Sequence, residues 1–393
     1  MSADFDMEGE MRIKNTGLRG VTLADTKISY VNGEKGKLIY RGYNINDLAR
    51  DSTFEEISYL LLKGNLPTKK EIAGFIKKLK KNRALPDSIL KAMAEIDKHT
   101  PSMNVLGAVT SLLELEGSKK PQDKYSYVER SIDLISKFPT IITSWHNLRN
   151  ETKIIAPRTD LTHSENFLYM LTGDGPDPEL SKILDTCLIL HADHTFNAST
   201  FAAREVASTR AGLYASVTAA LGALSGELHG GANARVIETL NEIQSIEKAR
   251  KYVSSKLDSH ERVMGMGHAV YKTQDPRATI LRTIAAKIGD PNLFNIAEAL
   301  KKMTQEEFKK RKGRSIYPNV DFYSGIAYLK MGFPIDFFTP VFAASRVSGW
   351  CAHVMEERFA EAQPKPVLYR PKAEYIGDYC GKMECDYVKL DKR

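Results

Sequence analysis

The stretch LYASVTAALGALSG, Leu213 to Gly226, is built almost wholly from alanine, leucine, serine and glycine. Such small side chains let helices approach closely, which predicts a helix buried among other helices. It ends a longer run of similar composition, from Pro178 to about Ser225, and that run is the expected core. A second apolar helix is expected from Phe337 to Arg358. Between the two lies a charged, mostly helical stretch, about Val236 to Arg311. Two apolar blocks separated by a polar one predict a mainly α chain, with a smaller helical unit inserted into a larger one.

Working outward, the N-terminal side begins with β structure. Lys27 to Val31 and Lys37 to Tyr40 flank the polar turn Asn32-Gly33-Glu34-Lys35-Gly36 and predict a short hairpin. Thr53 and Glu56 then form a capping box for a helix that Gly64 closes, and Thr68 with Glu71 form a second. The basic run Lys77-Lys78-Leu79-Lys80-Lys81 sits in that second helix, opposite Ile72, Phe75, Ile76 and Leu79. No aromatic residues interleave with these lysines, so a solvated helix face is the reading rather than a nucleic-acid patch.

A chain of 393 residues, 42% of them hydrophobic, is long for one core and predicts two domains or one with a large insertion. The net charge is +7 and the pI about 8.9, but the 56 basic and 49 acidic residues are interspersed, which suits an anionic small molecule as well as nucleic acid. Four scattered cysteines, Cys187, Cys351, Cys380 and Cys385, do not make a disulfide framework and point to a reducing compartment. Cys380 and Cys385 are read as free thiols rather than zinc ligands. There is no run of 18 apolar residues, and the first residues, MSADFDMEGEMR, lack the pattern of a signal or transit peptide. Cytoplasmic residence is the expectation.

Three glycine- or aromatic-rich blocks carry chemistry. In Gly226-Glu227-Leu228-His229-Gly230-Gly231, the histidine stands just ahead of a helix expected over Ala234 to Leu240. The positive end of the helix dipole disfavours imidazolium, and a neutral ring there can polarise a carbonyl; a turn histidine beside flexible glycines is the competing reading. In GMGHAVYKTQDPRA, Gly265 to Ala278, the backbone of Val263, Met264, Gly265, Met266 and Gly267 is unobstructed at the glycines and could cradle a planar or anionic ligand. His268 follows directly, and Lys272 and Arg277 supply a point charge and a bidentate fork. In YPNVDFYSG, Asp321 lies among aromatic and branched residues, where partial burial would raise its pKa and make it a base. An N-cap aspartate is the alternative there. His191 and His194 have the spacing of a metal pair but lack a third ligand in view, so no metal is expected. The sequence has no G-x-S-x-G, P-loop or G-x-G-x-x-G, which removes support for the corresponding hydrolases, NTPases and dehydrogenases.

Taken together, these blocks resemble citrate synthase over nearly the whole chain. The resemblance runs from GEKGKLIYRGYNINDLA through LHADHTFNASTF, GELHGGANA, GMGHAVYKTQDPR and YPNVDFYSG to FAASRVSGWCAH and YRPKAEYIG. It implies a large helical domain in two parts, residues 1–228 and 336–393, around a smaller mobile domain, 229–335, that binds coenzyme A. It implies that His229, His268 and Asp321 are catalytic and that His194, Phe342, Arg277 and Arg346 contact oxaloacetate. Arg370 is implied as a contribution from the neighbouring subunit of a homodimer, with Arg358 the alternative position. Coenzyme A is implied along Val263 to Gly267, with Lys272, Lys312 and Arg314 as candidates for its phosphates.

The implied reaction is condensation of acetyl-CoA with oxaloacetate, then thioester hydrolysis, with no tightly bound cofactor and the CoA thioester as co-substrate. The chain departs from the family pattern at Met266, in the longer segment FAEAQPKPVL and in the tail YCGKMECDYVKLDKR. A 2-methylcitrate synthase using propionyl-CoA is the nearest alternative. A non-catalytic CoA-binding protein and a nucleic-acid module are more distant, and neither a nucleic-acid nor a membrane partner is expected.

Overall fold

In the computed structural model, the structure describes residues 4–5, 11–12, 17–18, 20–116, 122–373, 375 and 387–393. Cys380 and Cys385 lie outside the described residues. The chain opens with two tiny antiparallel strands, β1 (Asp4–Phe5) and β2 (Met11–Arg12), and continues with a three-stranded antiparallel sheet in the order β3 (Ser29–Asn32), β4 (Lys37–Tyr40), β5 (Tyr43–Asn44). The expected hairpin is thus present with its first strand shifted by one to two residues, and β5 is an addition. A two-residue strand is too short to leave a period in the sequence.

Helices follow: α1 (Ile45–Asp51), α2 (Phe54–Lys63), α3 (Lys69–Lys81), α4 (Asp87–Ala94), α5 (Ser102–Leu115), α6 (Lys124–Arg149), α7 (His163–Thr172), α8 (Pro178–His191), α9 (Ala198–Ser208) and α10 (Leu213–Ser225). Both expected capping boxes form, and α2 ends on Gly64 in a left-handed conformation. In α3, Phe75 and Leu79 are buried, while Lys78 pairs with Glu129 on the outer face.

Next come α11 (Ala232–Ile243), α12 (Ile246–Asp258), α13 (Pro276–Ile288), α14 (Pro291–Lys312) and α15 (Asp321–Lys330), then a short 3-10 turn (Ile335–Phe337) and α16 (Phe338–Arg358). Three of these helices, α8, α13 and α14, begin with an Asp-Pro pair: the aspartate side chain caps the first turn, and proline fills the first helical position, where no N–H is needed. Helices α11 to α15 pack mainly on one another and meet the rest chiefly through α1, α8, the 3-10 turn and α16.

The small-residue run does form the centre of the larger body. Helix α10 lies against α9, α5 and α16, and Val217, Ala220, Leu221 and Leu224 are buried in those contacts. Close approach also shapes α16 at Gly349, where a Cβ would sit 2.3 Å from the Ala192 carbonyl oxygen. The sheet turn also presses on another element. A Cβ on Gly33 would lie 2.1 Å from the Val270 carbonyl oxygen and one on Gly36 2.7 Å from that of Gln274, so the β3–β4 turn braces the loop behind His268.

Candidate active site

The larger and smaller helical bodies meet around a cavity of about 960 Å³. Its wall includes His194, His229, the backbone of Val263 to Gly267, His268, Arg277, Asp321, Phe342 and Arg346. Side chains from positions 194 to 346 are therefore brought to one place by the ends of α8, α11, α13 and α15 and by the middle of α16.

The glycine loop is held by the segment that precedes α15. Gly267 N–H donates to Tyr317 C=O at 2.8 Å, Asn319 N–H to Gly265 C=O at 2.9 Å, and Asn319 Nδ2 to Gly267 C=O at 3.0 Å. Gly265 and Gly267 have φ of 73° and 89°, and a Cβ on Gly265 would meet Phe322 and Val236 at 2.7 Å. Glycine is required there for conformation and for space. Met266 is largely buried in the core cluster and also lines the cavity, so its departure from the family pattern bears on packing at the cavity wall.

His229 and His268 are neutral, and their hydrogen bonds fix opposite tautomers. Nε2 of His229 accepts the Ser199 backbone N–H at 3.2 Å and lies 2.8 Å from Ser199 Oγ, so its proton belongs on Nδ1. Nδ1 of His268 accepts the backbone N–H groups of Val270 and Tyr271 at 2.9 and 3.1 Å, which leaves the proton on Nε2. Burial pulls both pKa values down to about 4, helped by Arg346 at His229 and by Arg277 at His268. The α11 N-terminus beyond His229 has no side-chain cap. Its dipole adds to the preference for an uncharged ring.

Asp321 is the first residue of α15 and does not cap it; the residue before it, Val320, occupies the cap position. An acid in a first turn is ordinarily held ionised by the helix dipole. Here burial dominates and pushes the pKa up to about 6, against the opposing charges of Arg277 and Arg346. The result is a carboxylate that is ionised near neutrality yet poorly solvated, as a base should be.

The two cavity arginines differ. Arg277 is locked to Asp275, Nε to Oδ1 at 3.0 Å and Nη2 to Oδ2 at 2.8 Å, leaving Nη1 over. Burial alone would lower its pKa, but the Asp275 pairing outweighs that and raises it. Arg346 is 2% exposed, sits over the Phe342 ring and spends only Nε, on His191 C=O at 2.6 Å. Among the described residues it has no carboxylate partner, and burial lowers its pKa to about 10. A buried guanidinium with both Nη groups unspent in a cavity is a site for an anion. His194 completes this end, with Nε2 3.3 Å from the Tyr271 hydroxyl and its ring 5.2 Å from that of His268.

Neighbouring His191 turns away, with Nδ1 on Cys187 C=O at 2.7 Å. The remaining sequence candidates stand apart from the cavity. Lys272 is exposed and pairs with Glu34 of the β3–β4 turn. Lys312, the last residue of α14, and Arg314, just beyond it, are exposed, and Arg314 lies over the Phe308 ring. Arg370 is exposed in the segment after α16, and the side chain of Arg358 does not line the cavity either. Residues the sequence reading missed include Asp275, Ser199 and Asn319. The Asp-Pro start of α13 was a signal for the first; nothing local marked the others.

The family model for the citrate synthase C-terminal domain matches residues 17–372. This chain belongs to the citrate synthase family. It is 43% identical to the citrate synthase of Deinococcus radiodurans over 367 residues, 92% of this chain and 95% of that one. It is 37% identical to the 2-methylcitrate synthase of Shewanella oneidensis over 94% of its own length and 97% of the other. Among solved structures, it resembles the ternary complex of the Thermoplasma acidophilum citrate synthase with carboxymethyl coenzyme A and oxaloacetate. That likeness has a TM-score of 0.88 and 33% identity, covering 95% of this chain and 98% of that one. The expected mainly α citrate synthase fold is thus the one observed.

Proposed function

We propose that this chain condenses acetyl-CoA with oxaloacetate and hydrolyses the resulting thioester, giving citrate and CoA. One observation carries the reading: a single cavity presents a desolvated carboxylate, two neutral histidines with fixed and opposite protons, and two buried guanidinium groups with unspent donors. Arg346 and the free edge of Arg277 bind the carboxylates of oxaloacetate, with His194 beside them. His268 Nε2–H polarises its ketone. Asp321 removes a proton from the thioester methyl, and His229 Nδ1–H donates to the enolate oxygen as charge develops, which stabilises the transition state more than the ground state. The enolate carbon then attacks the polarised ketone.

The CoA chain runs along the Val263–Gly267 backbone, and residues 229–335 form the domain that closes over it. Closure excludes water until the carbon bond exists. Lys272, Lys312 and Arg314 reach the CoA phosphates only if that movement turns them inward. The working unit is a homodimer: α5 and α10 leave Ala108, Ser111, Ala215 and Gly222 exposed, small residues suited to close helix contact, and Arg370, outside its own cavity, serves the partner's. The reading needs no tightly bound cofactor. Cytoplasmic residence fits the free, buried thiols of Cys187 and Cys351.

Replacing the base tests the assignment. Asp321→Ala should lower kcat by roughly 10² to 10⁴ while calorimetry still detects oxaloacetate binding; near-normal turnover would reject Asp321 as the base. The likeness to a 2-methylcitrate synthase supports a second reading, propionyl-CoA as acyl donor. One methylene changes selectivity by only about 1–3 kcal/mol, so kcat/KM measured for both thioesters decides between them.

A further inference from the structure

The inner end of the cavity hangs on one turn, Asp193 to Asn197. His194 faces the cavity, Asn197 caps α9, and Ser199 in the first turn of α9 sets the His229 tautomer. Thr195, in the middle, has φ of 48°. A β-branched residue holds that left-handed conformation only where its surroundings over-determine it.

Asp193 supplies that constraint. Its carboxylate is fully buried, and Oδ2 accepts the Thr195 N–H at 3.1 Å and the Ser29 hydroxyl. Ser29 Oγ accepts the same Thr195 N–H at 3.0 Å. The Tyr40 hydroxyl closes on the backbone of Asp193, donating to its C=O at 2.9 Å and accepting its N–H at 3.1 Å. Space for the carboxylate comes from Gly349, where a Cβ would lie 2.6 Å from Oδ1.

On its other side Asp193 meets buried His353, whose Nε2 is 3.4 Å from Oδ2 in hydrogen-bond alignment and 3.2 Å from the less well directed Oδ1. The Nδ1 of His353 faces Arg204 Nη1 at 3.3 Å, and Arg204 is itself held by Glu356 at 2.8 Å and Glu357 at 2.7 Å. A guanidinium only donates, so Nδ1 must accept and the proton must stand on Nε2. Each bond then has one direction: Arg204 into His353, His353 into Asp193, and Thr195 and Ser29 into the same carboxylate.

We infer that Asp193, held by His353, is a positioning residue for oxaloacetate: it locks the turn that aims His194 and presents Ser199 to His229, and lends Arg346 a negative charge without occupying its donors. This deepens the proposed oxaloacetate site and rests on it.

Asp193→Asn tests the inference at constant size. With the NH₂ in the place of Oδ2 it meets the N–H of Thr195, a donor facing a donor; turned the other way it lies 3.2 Å from Nε2 of His353 with no acceptor, and in both orientations the buried negative charge is lost. A buried group left unmatched in this way should raise KM for oxaloacetate on the order of tenfold, with a lower kcat and a KM for acetyl-CoA within about twofold of wild type. Adding His353→Gln, which offers a carbonyl oxygen to the new amide, should recover part of the loss. Ser29→Ala should give a smaller version of the same split and serves as the readout if Asp193→Asn does not fold. A fall in kcat that tracks the folded fraction, with KM for oxaloacetate unchanged, overturns the inference. Arg346→Leu measured in parallel separates the two levels, because an unchanged oxaloacetate KM in that variant overturns the substrate assignment itself.

Discussion

The two ends of the cavity hold their cations in opposite ways. At the inner end Arg346 is buried and unpaired, and Arg277 keeps one nitrogen free although Asp275 holds the rest. At the outer end Arg235 pairs with Glu227 at 2.9 Å and Lys256 with Glu261 at 2.7 Å, and all four side chains are substantially exposed to water. A desolvated charge with unspent donors gains much from a matching anion, whereas an exposed pair must first break and is screened by salt. The difference teaches that recognition of a small dianion is built into the interior. The outer end adds little beyond a tolerant surface for a long, polar co-substrate.

The comparison breaks most readily at Arg346. Arg346→Leu should reduce kcat/KM for oxaloacetate by about 10²–10³, the scale of truncating one member of a buried charge pair, and leave KM for the acyl-CoA nearly unchanged. A loss spread evenly over both substrates would mean that the inner end is not specialised. Acid titration sharpens the same contrast. The base form of Asp321 is lost as pH falls through about 6, while both histidines stay neutral down to about 4. The kcat/KM profile, which reports the free enzyme, should therefore fall on its acid side with a single ionisation near pH 6, approaching tenfold per unit below it. An acid limb near pH 4 would place the base elsewhere.

Much of this fold was legible beforehand because it is written in local chemistry. Capping boxes at Thr53 and Thr68, the glycine after Lys63 and the small residues of α10 each act within a few positions of their own helix. The clustering of His229, His268, Arg277 and Asp321 was legible only through the resemblance, since nothing in spacing alone brings residues 229 and 321 together. Direction was harder still. Lys272 and Arg277 sit five residues apart, yet the first turns out to Glu34 and the second into the cavity. Which ring nitrogen of His229 carries a proton and why Gly33 must be glycine are set by distant backbone, at Ser199 and Val270, whereas Arg277 is paired by the side chain of Asp275 two residues before it.

The smallest effect is expected at Lys256. Its ammonium lies beside the Tyr252 ring and pairs with Glu261, so its removal exposes an acid on the same wall. Lys256→Ala should raise KM for the acyl-CoA by no more than about fivefold, since exposed pairs are worth roughly 0–1 kcal/mol, and the change should shrink as salt is added. Because part of the loss comes from the unmasked carboxylate repelling an anionic co-substrate, Lys256→Ala/Glu261→Gln should lie closer to wild type than the single variant. Steady-state kinetics of the three proteins at two ionic strengths check this. If Lys256→Ala instead cost as much as Arg346→Leu and resisted salt, the outer end would be no less specialised than the inner one, and the contrast between a built interior and a tolerant rim would have to be given up.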